Sequence, residues 1–289
     1  MQEFDFLRPR NLGELSTALR QGGCRIIAGG TDVIPRMRRD QLSASMVIDI
    51  SDLEDLRGIT QDGDWISIGA LTTHRQILQA PLLQKHNPAL VAAAASIGCD
   101  QTRNRGTLGG NIANASPAGD TIPPLLVFDA EVALNGPEVR RTLPLEEFIT
   151  GPGETRMQTD EFIHSLKFRK LSGAWGAAFE KLGKRSGMAI SVANAAAAVV
   201  LNSKGRIEHA RLALGSVAPV VLRCADAEAF LSGRVPTQET LQEAANLCAS
   251  GISPISDVRA TADYRRYAAV VLARRALQAA VDRARSGTP

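Results

Sequence analysis

Two short glycine segments carry most of the chemistry-bearing pattern in this sequence, Ile27-Ala28-Gly29-Gly30-Thr31-Asp32 and Thr107-Leu108-Gly109-Gly110-Asn111-Ile112. In each, paired glycines directly follow apolar residues. Glycine lets the backbone turn sharply and lets a ligand come close to the peptide N–H groups. Successive N–H groups then form a nest for an anion, which a helix starting just after it reinforces. Thr31 and Asn111 add side-chain donors at the tips. Two such segments on separate strands would grip both phosphates of a dinucleotide, although each alone also reads as a plain tight turn. Neither is G-x-G-x-x-G, so the Rossmann fingerprint is absent.

The other reactive side chains are dispersed. Cys24, Cys99, Cys224 and Cys248 form no C-x-x-C pair, whereas zinc and iron–sulfur sites usually draw on closely spaced thiolates. They read as four reduced, partly buried thiols. His74, His86, His164 and His209 are isolated, and there is no G-x-S-x-G elbow or phosphate-binding P-loop. Self-contained hydrolases and P-loop enzymes drop out. Any chemistry here is expected to be carried by a cofactor.

Those segments need elements to hold them. A helix is predicted over 11–20, capped by Asn11, with Glu14 at the capping-box position and Gly22-Gly23 as its stop. Short strands are predicted over 25–28, 45–50 and 65–68, the last preceded by the hairpin signal Asp62-Gly63-Asp64. Helices over 73–79 and 87–96 come next, Pro88 suiting the first turn of the second and Gly98 its end. The glycine-rich stretch 106–111 follows, and helical periodicity resumes over 120–128. A strand pair over 131–134 and 139–143 turns at Asn135-Gly136-Pro137, and a further strand lies near 161–168. Beyond Leu171-Ser172-Gly173 the texture changes to longer strands over 174–182, 190–201 and 207–214, then helices over 225–231, 238–249 and 258–285. Strands followed by helices predict an α+β unit with helices on one face of an antiparallel sheet. Two domains are therefore expected, 1–172 and 173–289.

Length and composition agree. A chain of 289 residues exceeds one small core, and 44% hydrophobic with 22% charged residues is a globular balance. The net charge of +3 comes without a dense basic stripe, so no nucleic-acid partner is expected. The longest apolar runs, 89–95 and 195–201, fall far short of the roughly 20 residues that cross a bilayer. The opening Met1-Gln2-Glu3-Phe4-Asp5-Phe6 has no basic region before an apolar one. No export signal is expected, and cytoplasmic location is the default.

With Asn114, Ser116, Pro117 and Asp120 after the second segment, the chain resembles the FAD-binding subunit of the molybdenum hydroxylases. That family includes the medium chain of carbon monoxide dehydrogenase and the FAD subunit of bacterial xanthine dehydrogenase. The resemblance runs through Phe4-Asp5-Phe6, Ile68-Gly69-Ala70 and Gln101-Thr102-Arg103-Asn104. It continues through Gly151-Pro152-Gly153-Glu154-Thr155, Asp160-Glu161-Phe162-Ile163 and Phe179-Glu180-Lys181. It implies a PCMH-type (vanillyl-alcohol-oxidase-like) FAD-binding domain followed by a small α+β C-terminal domain. It also implies that Ile27, Ala28, Gly29, Gly30, Thr31, Asp32, Val33 and Ile34 wrap the FAD pyrophosphate. Thr107, Gly109, Gly110, Asn111 and Ile112 would meet it from the other side. Asp120 falls where the family places an acid at the cofactor, although alone it reads equally as a helix N-cap. Ile97 falls over the isoalloxazine ring, although alone it reads as plain core. Ile163 and Leu166 are candidates near the flavin. The family's cation beside the cofactor falls on Lys181, or in another alignment on Glu180.

Some members of the family carry a [4Fe–4S] cluster on a cysteine-rich loop, and the sparse cysteines argue against one here. No [2Fe–2S] cysteine pattern is present either, so molybdopterin and [2Fe–2S] are expected only on partner chains, a large and a small subunit. The implied function is electron transfer from iron–sulfur centres on a partner chain, through FAD, to NAD+ or another acceptor. Purines are the first expectation for the substrate of the complex. The flavin is expected to be non-covalent, because neither Cys24 nor Cys99 stands where attachment would be expected. No catalytic acid or base and no metal site are expected on this chain. The sequence also admits two alternatives. One is a stand-alone PCMH-type flavin oxidase or dehydrogenase, which would need its own substrate pocket. The other is an assembly module that keeps the glycine segments for structure.

Overall fold

The computed structural model describes residues 3–137 and 140–287. At the N-terminus, β1 (Asp5–Leu7), α1 (Leu12–Leu19), β2 (Cys24–Ile27), α2 (Val33–Arg38) and β3 (Met46–Asp49) build a small parallel sheet of order β1-β3-β2 with its helices. Leu15, Ala18 and Leu19 form the buried stripe of α1 and pack with Ile48, Leu53 and Leu56. Asn11 caps α1, accepting from the Glu14 N–H at 2.9 Å. The Glu14 carboxylate accepts from the Arg10 N–H at 2.8 Å instead of that of Asn11, so the expected capping box is displaced by one residue.

The hairpin β4 (Ile59–Asp62) and β5 (Trp65–Gly69) turns at Gly63, whose φ is +56°. Six short helices follow, α3 (His74–Gln79), α4 (Pro81–His86), α5 (Pro88–Ala95), α6 (Asp100–Arg105), α7 (Leu108–Ala113) and α8 (Ile122–Leu126). Then come β6 (Glu131–Asn135), β7 (Arg140–Pro144), α9 (Leu145–Phe148), the short pair β8 (Ile149–Gly151) and β9 (Glu154–Thr155), and β10 (Phe162–Arg169). Val139, expected at the start of one strand, lies outside the described residues. A five-stranded antiparallel sheet of order β4-β5-β10-β6-β7 results. Its inner face, including Ile66, Ile68, Val132, Leu134, Leu166 and Phe168, packs with residues of α5 and α8.

The C-terminal half is β11 (Ala174–Leu182), β12 (Ala193–Leu201), β13 (Ile207–Gly215) and β14 (Leu222–Arg223), then α10 (Ala225–Leu231), α11 (Gln238–Leu247) and α12 (Ala262–Ser286). Its antiparallel sheet has all three helices on one face, the expected α+β arrangement. The other face packs against the N-terminal half through Ala177, Ala196, Ala198 and Ala213. Burial on both faces explains the unbroken alanine run of β12. Small side chains also let α12 sit close. A Cβ on Gly176 would lie 2.2 Å from the Ala280 carbonyl oxygen.

Three expected elements are shorter. The helix expected over 120–128 is regular only over α8. The strand expected from 190 starts at Ala193, because Ser191 is drawn to a buried carboxylate. The last helix starts at Ala262, because Asp257 accepts the N–H groups of Arg259 and Ala260 and Thr261 supplies the cap. Helices α2, α4, α6, α7 and α9 go beyond the predicted elements. Pro35 is tolerated in α2 because it falls in the first turn.

Candidate functional site

The first glycine segment leaves β2 at Ile27 and enters α2 at Val33. Among the described residues, no protein group accepts from the N–H of Gly29, Gly30, Thr31, Asp32 or Val33, and Asp32 makes no side-chain cap. Five consecutive free donors at a turn and helix start form an anion nest. Gly30 has φ +71°, open to it at little cost. Gly29 is needed for a different reason. A Cβ there would lie 1.8 Å from the Arg105 carbonyl oxygen, so only glycine lets the junction of α6 and α7 touch this turn. Ile27, Ala28, Val33 and Ile34 are half-buried and Thr31 is exposed. The Asp32 carboxylate is matched by Arg36 at 3.4 Å.

The second glycine segment differs from the expectation of an open nest. It is the first turn of α7, with Thr107 as its N-cap accepting from the Gly110 N–H at 3.1 Å. The N–H groups of Leu108 and Gly109 donate to the carbonyls of Thr72 and Ala70, each at 2.9 Å, and that of Asn111 to Thr107 at 3.0 Å. Its backbone donors are therefore engaged by the protein. Glycine at 109 answers packing, since a Cβ would lie 2.8 Å from the Ala70 oxygen. What this turn presents is the exposed Gly110 and the half-buried Asn111, whose Oδ1 accepts from the Thr121 hydroxyl at 2.7 Å. Ile112 is fully buried in the core.

His74 lies between the two segments. Its N–H donates to the Gly106 carbonyl at 3.0 Å, and a Cβ on Gly106 would lie 3.1 Å from its ring and 3.4 Å from the Thr31 hydroxyl. Burial, and secondly the charge of Arg103, hold its pKa down at about 4, so the ring is neutral near pH 7.

Farther along, Asp120 is the hub of a buried polar cluster. It is 7% exposed and does not cap α8, whose N-cap position is Thr121 without a side-chain bond. Its Oδ2 accepts from Lys181 Nζ at 2.6 Å, and its Oδ1 from Ser191 Oγ at 2.6 Å and Asn194 Nδ2 at 2.8 Å. Lys181 also donates to the Ser96 carbonyl at 3.0 Å. On β11, Trp175, Phe179 and Lys181 alternate onto the face toward the N-terminal half, and Glu180 falls on the other. Beside Ser96, Ile97 is half-buried, belongs to no core cluster, and has its carbonyl held by Arg103 Nη1 at 2.8 Å. The plain-core reading of Ile97 does not hold.

Contacts thus join the first turn, the α6–α7 junction, Asn111, Asp120, Lys181 and the Ile97 turn. Ile163 and Leu166 are not among them; at 5% and 0% exposure both are core residues. Sequence reasoning missed His74, Ser191 and Asn194. The last two reach Asp120 across 71 and 74 residues, a pairing no local pattern announces. Cys24 Sγ donates to the Gly22 carbonyl at 3.2 Å, and Cys99 Sγ lies 3.5 Å from the Thr102 hydroxyl. Among the described residues, no group of three or more His, Cys, Asp or Glu could hold a metal ion, and no helix is long and apolar enough to cross a membrane.

Residues 2–168 match the FAD binding domain in molybdopterin dehydrogenase, and residues 177–280 match the CO dehydrogenase flavoprotein C-terminal domain. The carbon monoxide dehydrogenase medium chain of Hydrogenophaga pseudoflava is 34% identical over 280 residues, covering 96% of each chain. The xanthine dehydrogenase FAD-binding subunit of Escherichia coli O157:H7 is 32% identical over 285 residues, covering 96% of this chain and 97% of that one. Among solved structures, a chain of carbon monoxide dehydrogenase from Hydrogenophaga pseudoflava, lacking the Mo-pyranopterin moiety, superposes with a TM-score of 0.94 at 34% identity and 98% coverage of both chains.

Proposed function

The chain belongs to the family of FAD-binding subunits of the molybdenum hydroxylases, and from that premise we propose how its residues serve the complex. It receives electrons from [2Fe–2S] centres on a small partner chain, which a large molybdopterin subunit supplies, and delivers them to NAD+. The complex works in the cytoplasm on a purine. We divide the chain at residue 172, with the flavin domain before it and the companion domain after it.

The observation that carries this reading is the run of five free N–H groups from Gly29 to Val33. They fit a diphosphate, whose oxygens would replace the missing acceptors. FAD, when bound, supplies the redox chemistry, and the protein's task is to hold and orient it. Thr31 and Asn111 add polar contacts to the dinucleotide. Ile27, Ala28, Val33 and Ile34 line the approach, while Thr107, Gly109, Gly110 and Ile112 set the opposing turn in place. Ile97 offers an apolar side chain to the flat ring. The Lys181 ammonium, anchored by Asp120, places a cation at the same end of the site. Attachment is non-covalent, because Cys24 and Cys99 are turned to their own backbone and hydroxyl neighbours.

Anaerobic titration of the FAD-loaded complex with NADH tests the acceptor. Bleaching of the visible flavin band is expected. A flavin that dithionite reduces and NADH does not would rule out NAD+. Xanthine-dependent bleaching of the same complex tests the purine assignment, and its absence with an active molybdenum subunit would reject it.

A further inference from the structure

A cleft of roughly 450 Å³ opens on the seam between the two halves, away from the flavin site. It reaches Val200 on β12, six residues along the strand from the Asp120 ligand Asn194 and so about 20 Å away. Its volume falls in the range of small-molecule pockets, which favour domain seams. Val127, Phe128, Leu171 and Val200 supply apolar wall. Trp65 and Arg169 are cross-strand neighbours at the ends of β5 and β10, and the Arg169 guanidinium lies 4.8 Å from the Trp65 ring centroid.

Charge sorts the polar groups. Asp129 accepts from Arg223 at 2.7 Å and pairs with Arg211 at 3.4 Å. Glu131 pairs with Lys167 at 2.9 Å, and Lys170 with Asp64 at 3.3 Å. Arg169 alone among the arginines and lysines of the wall has no carboxylate partner among the described residues. A guanidinium laid on an indole keeps its N–H edge free, and that edge matches a carboxylate in two-point contact. The opposite wall is fixed. Asp129 holds a left-handed backbone, φ +49°, and Arg223 clamps that turn by also donating to the Leu126 carbonyl at 3.1 Å.

We propose that this cleft is a second ligand site, which binds a small planar aromatic carboxylate. The ring lies against Phe128 and Val200, and the carboxylate meets Arg169. One uncompensated cation beside apolar and aromatic walls calls for a single negative charge on a flat apolar body.

The probe is 2-naphthoate, titrated into the FAD-loaded protein while tryptophan emission is followed. The chain's two tryptophans both report, since Trp65 lines the cleft and Trp175 packs edge-on to Phe128 at 6.1 Å. Saturable quenching is expected, with the flavin spectrum unchanged. The neutral analogue 2-naphthylmethanol should bind at least about tenfold more weakly, and Arg169→Gln should weaken naphthoate by a similar factor, the scale of one charge-assisted hydrogen bond. Val200→Phe, which fills the cleft without removing the charge, should abolish the quenching. Quenching that does not saturate, equal affinity for the neutral analogue, an unaffected Arg169→Gln, or a naphthoate-induced flavin shift would each overturn the proposal.

Discussion

Replacing Gly29 by alanine tests the geometry of the site at its narrowest point. The added Cβ would lie 1.8 Å from the Arg105 carbonyl oxygen, where ordinary contact begins at 3.4 Å. The first glycine turn and the α6–α7 junction would therefore have to part by about 1.6 Å, several times the tolerance of a hydrogen bond. Overpacking of this kind costs about 1–3 kcal/mol of stability. The larger effect falls on the ligand, because the five free N–H groups begin at Gly29. Losing one or two charge-assisted bonds to a diphosphate weakens binding by about 2–3 kcal/mol, roughly 30- to 150-fold. Gly22→Ala is the control. Gly22, unlike Gly29, has a left-handed φ, +71°, and nothing lies within 4 Å of a Cβ there. It should lose about 1–2 kcal/mol of stability and no FAD affinity. Both variants can be read by FAD titration of apo protein, following quenching of flavin fluorescence, with urea unfolding as the fold control. A folded Gly29→Ala that binds FAD like the wild type would refute the reasoning, as would a Gly22→Ala equally impaired in binding.

Lys181→Met leaves the buried Asp120 carboxylate with only Ser191 and Asn194 as donors, and unfolding should show a loss of about 3–5 kcal/mol. Adding Asp120→Asn should recover more than about 1 kcal/mol of it in a double-mutant cycle; strict additivity would show that the pair is not coupled. Because the folded-state pKa of His74 lies at about 4, below its ordinary 6.5, the unfolded chain takes up a proton first. Its contribution to stability is complete above pH 6.5 and is lost as pH falls towards 4, by about 3 kcal/mol at most, and His74→Gln should flatten that part of the unfolding-versus-pH curve. Gly176→Ala should cost about 2–3 kcal/mol and loosen α12, seen as faster amide exchange there, because its Cβ would strike the Ala280 carbonyl.

Much of the fold was legible because local signals dominate it. Asn11, the Asp62-Gly63-Asp64 turn and the break at Leu171-Ser172-Gly173 each bound an element near the observed place. The two glycine segments read alike in sequence because glycine serves two purposes that one sequence cannot separate. At Gly29 it keeps donors free and admits a neighbouring chain; at Gly109 it lets a helix press on Ala70. In sequence Asp120 reads as a cofactor acid or a cap, and its protein partners lie on or next to strands of the other half of the chain. Only the folded sheet, which sets Lys181 and Asn194 side by side in register, makes that cluster readable. Strand alternation on β11 puts Lys181, and not Glu180, on the face turned toward the N-terminal half.

The flavin itself is the most direct test of the account. The purified protein should be yellow, and acid precipitation should release about one FAD per chain into the supernatant, identified by chromatography. A colourless protein that takes up no added FAD would contradict the proposed role of the Gly29–Val33 donors. Flavin retained on the precipitated polypeptide would contradict non-covalent binding.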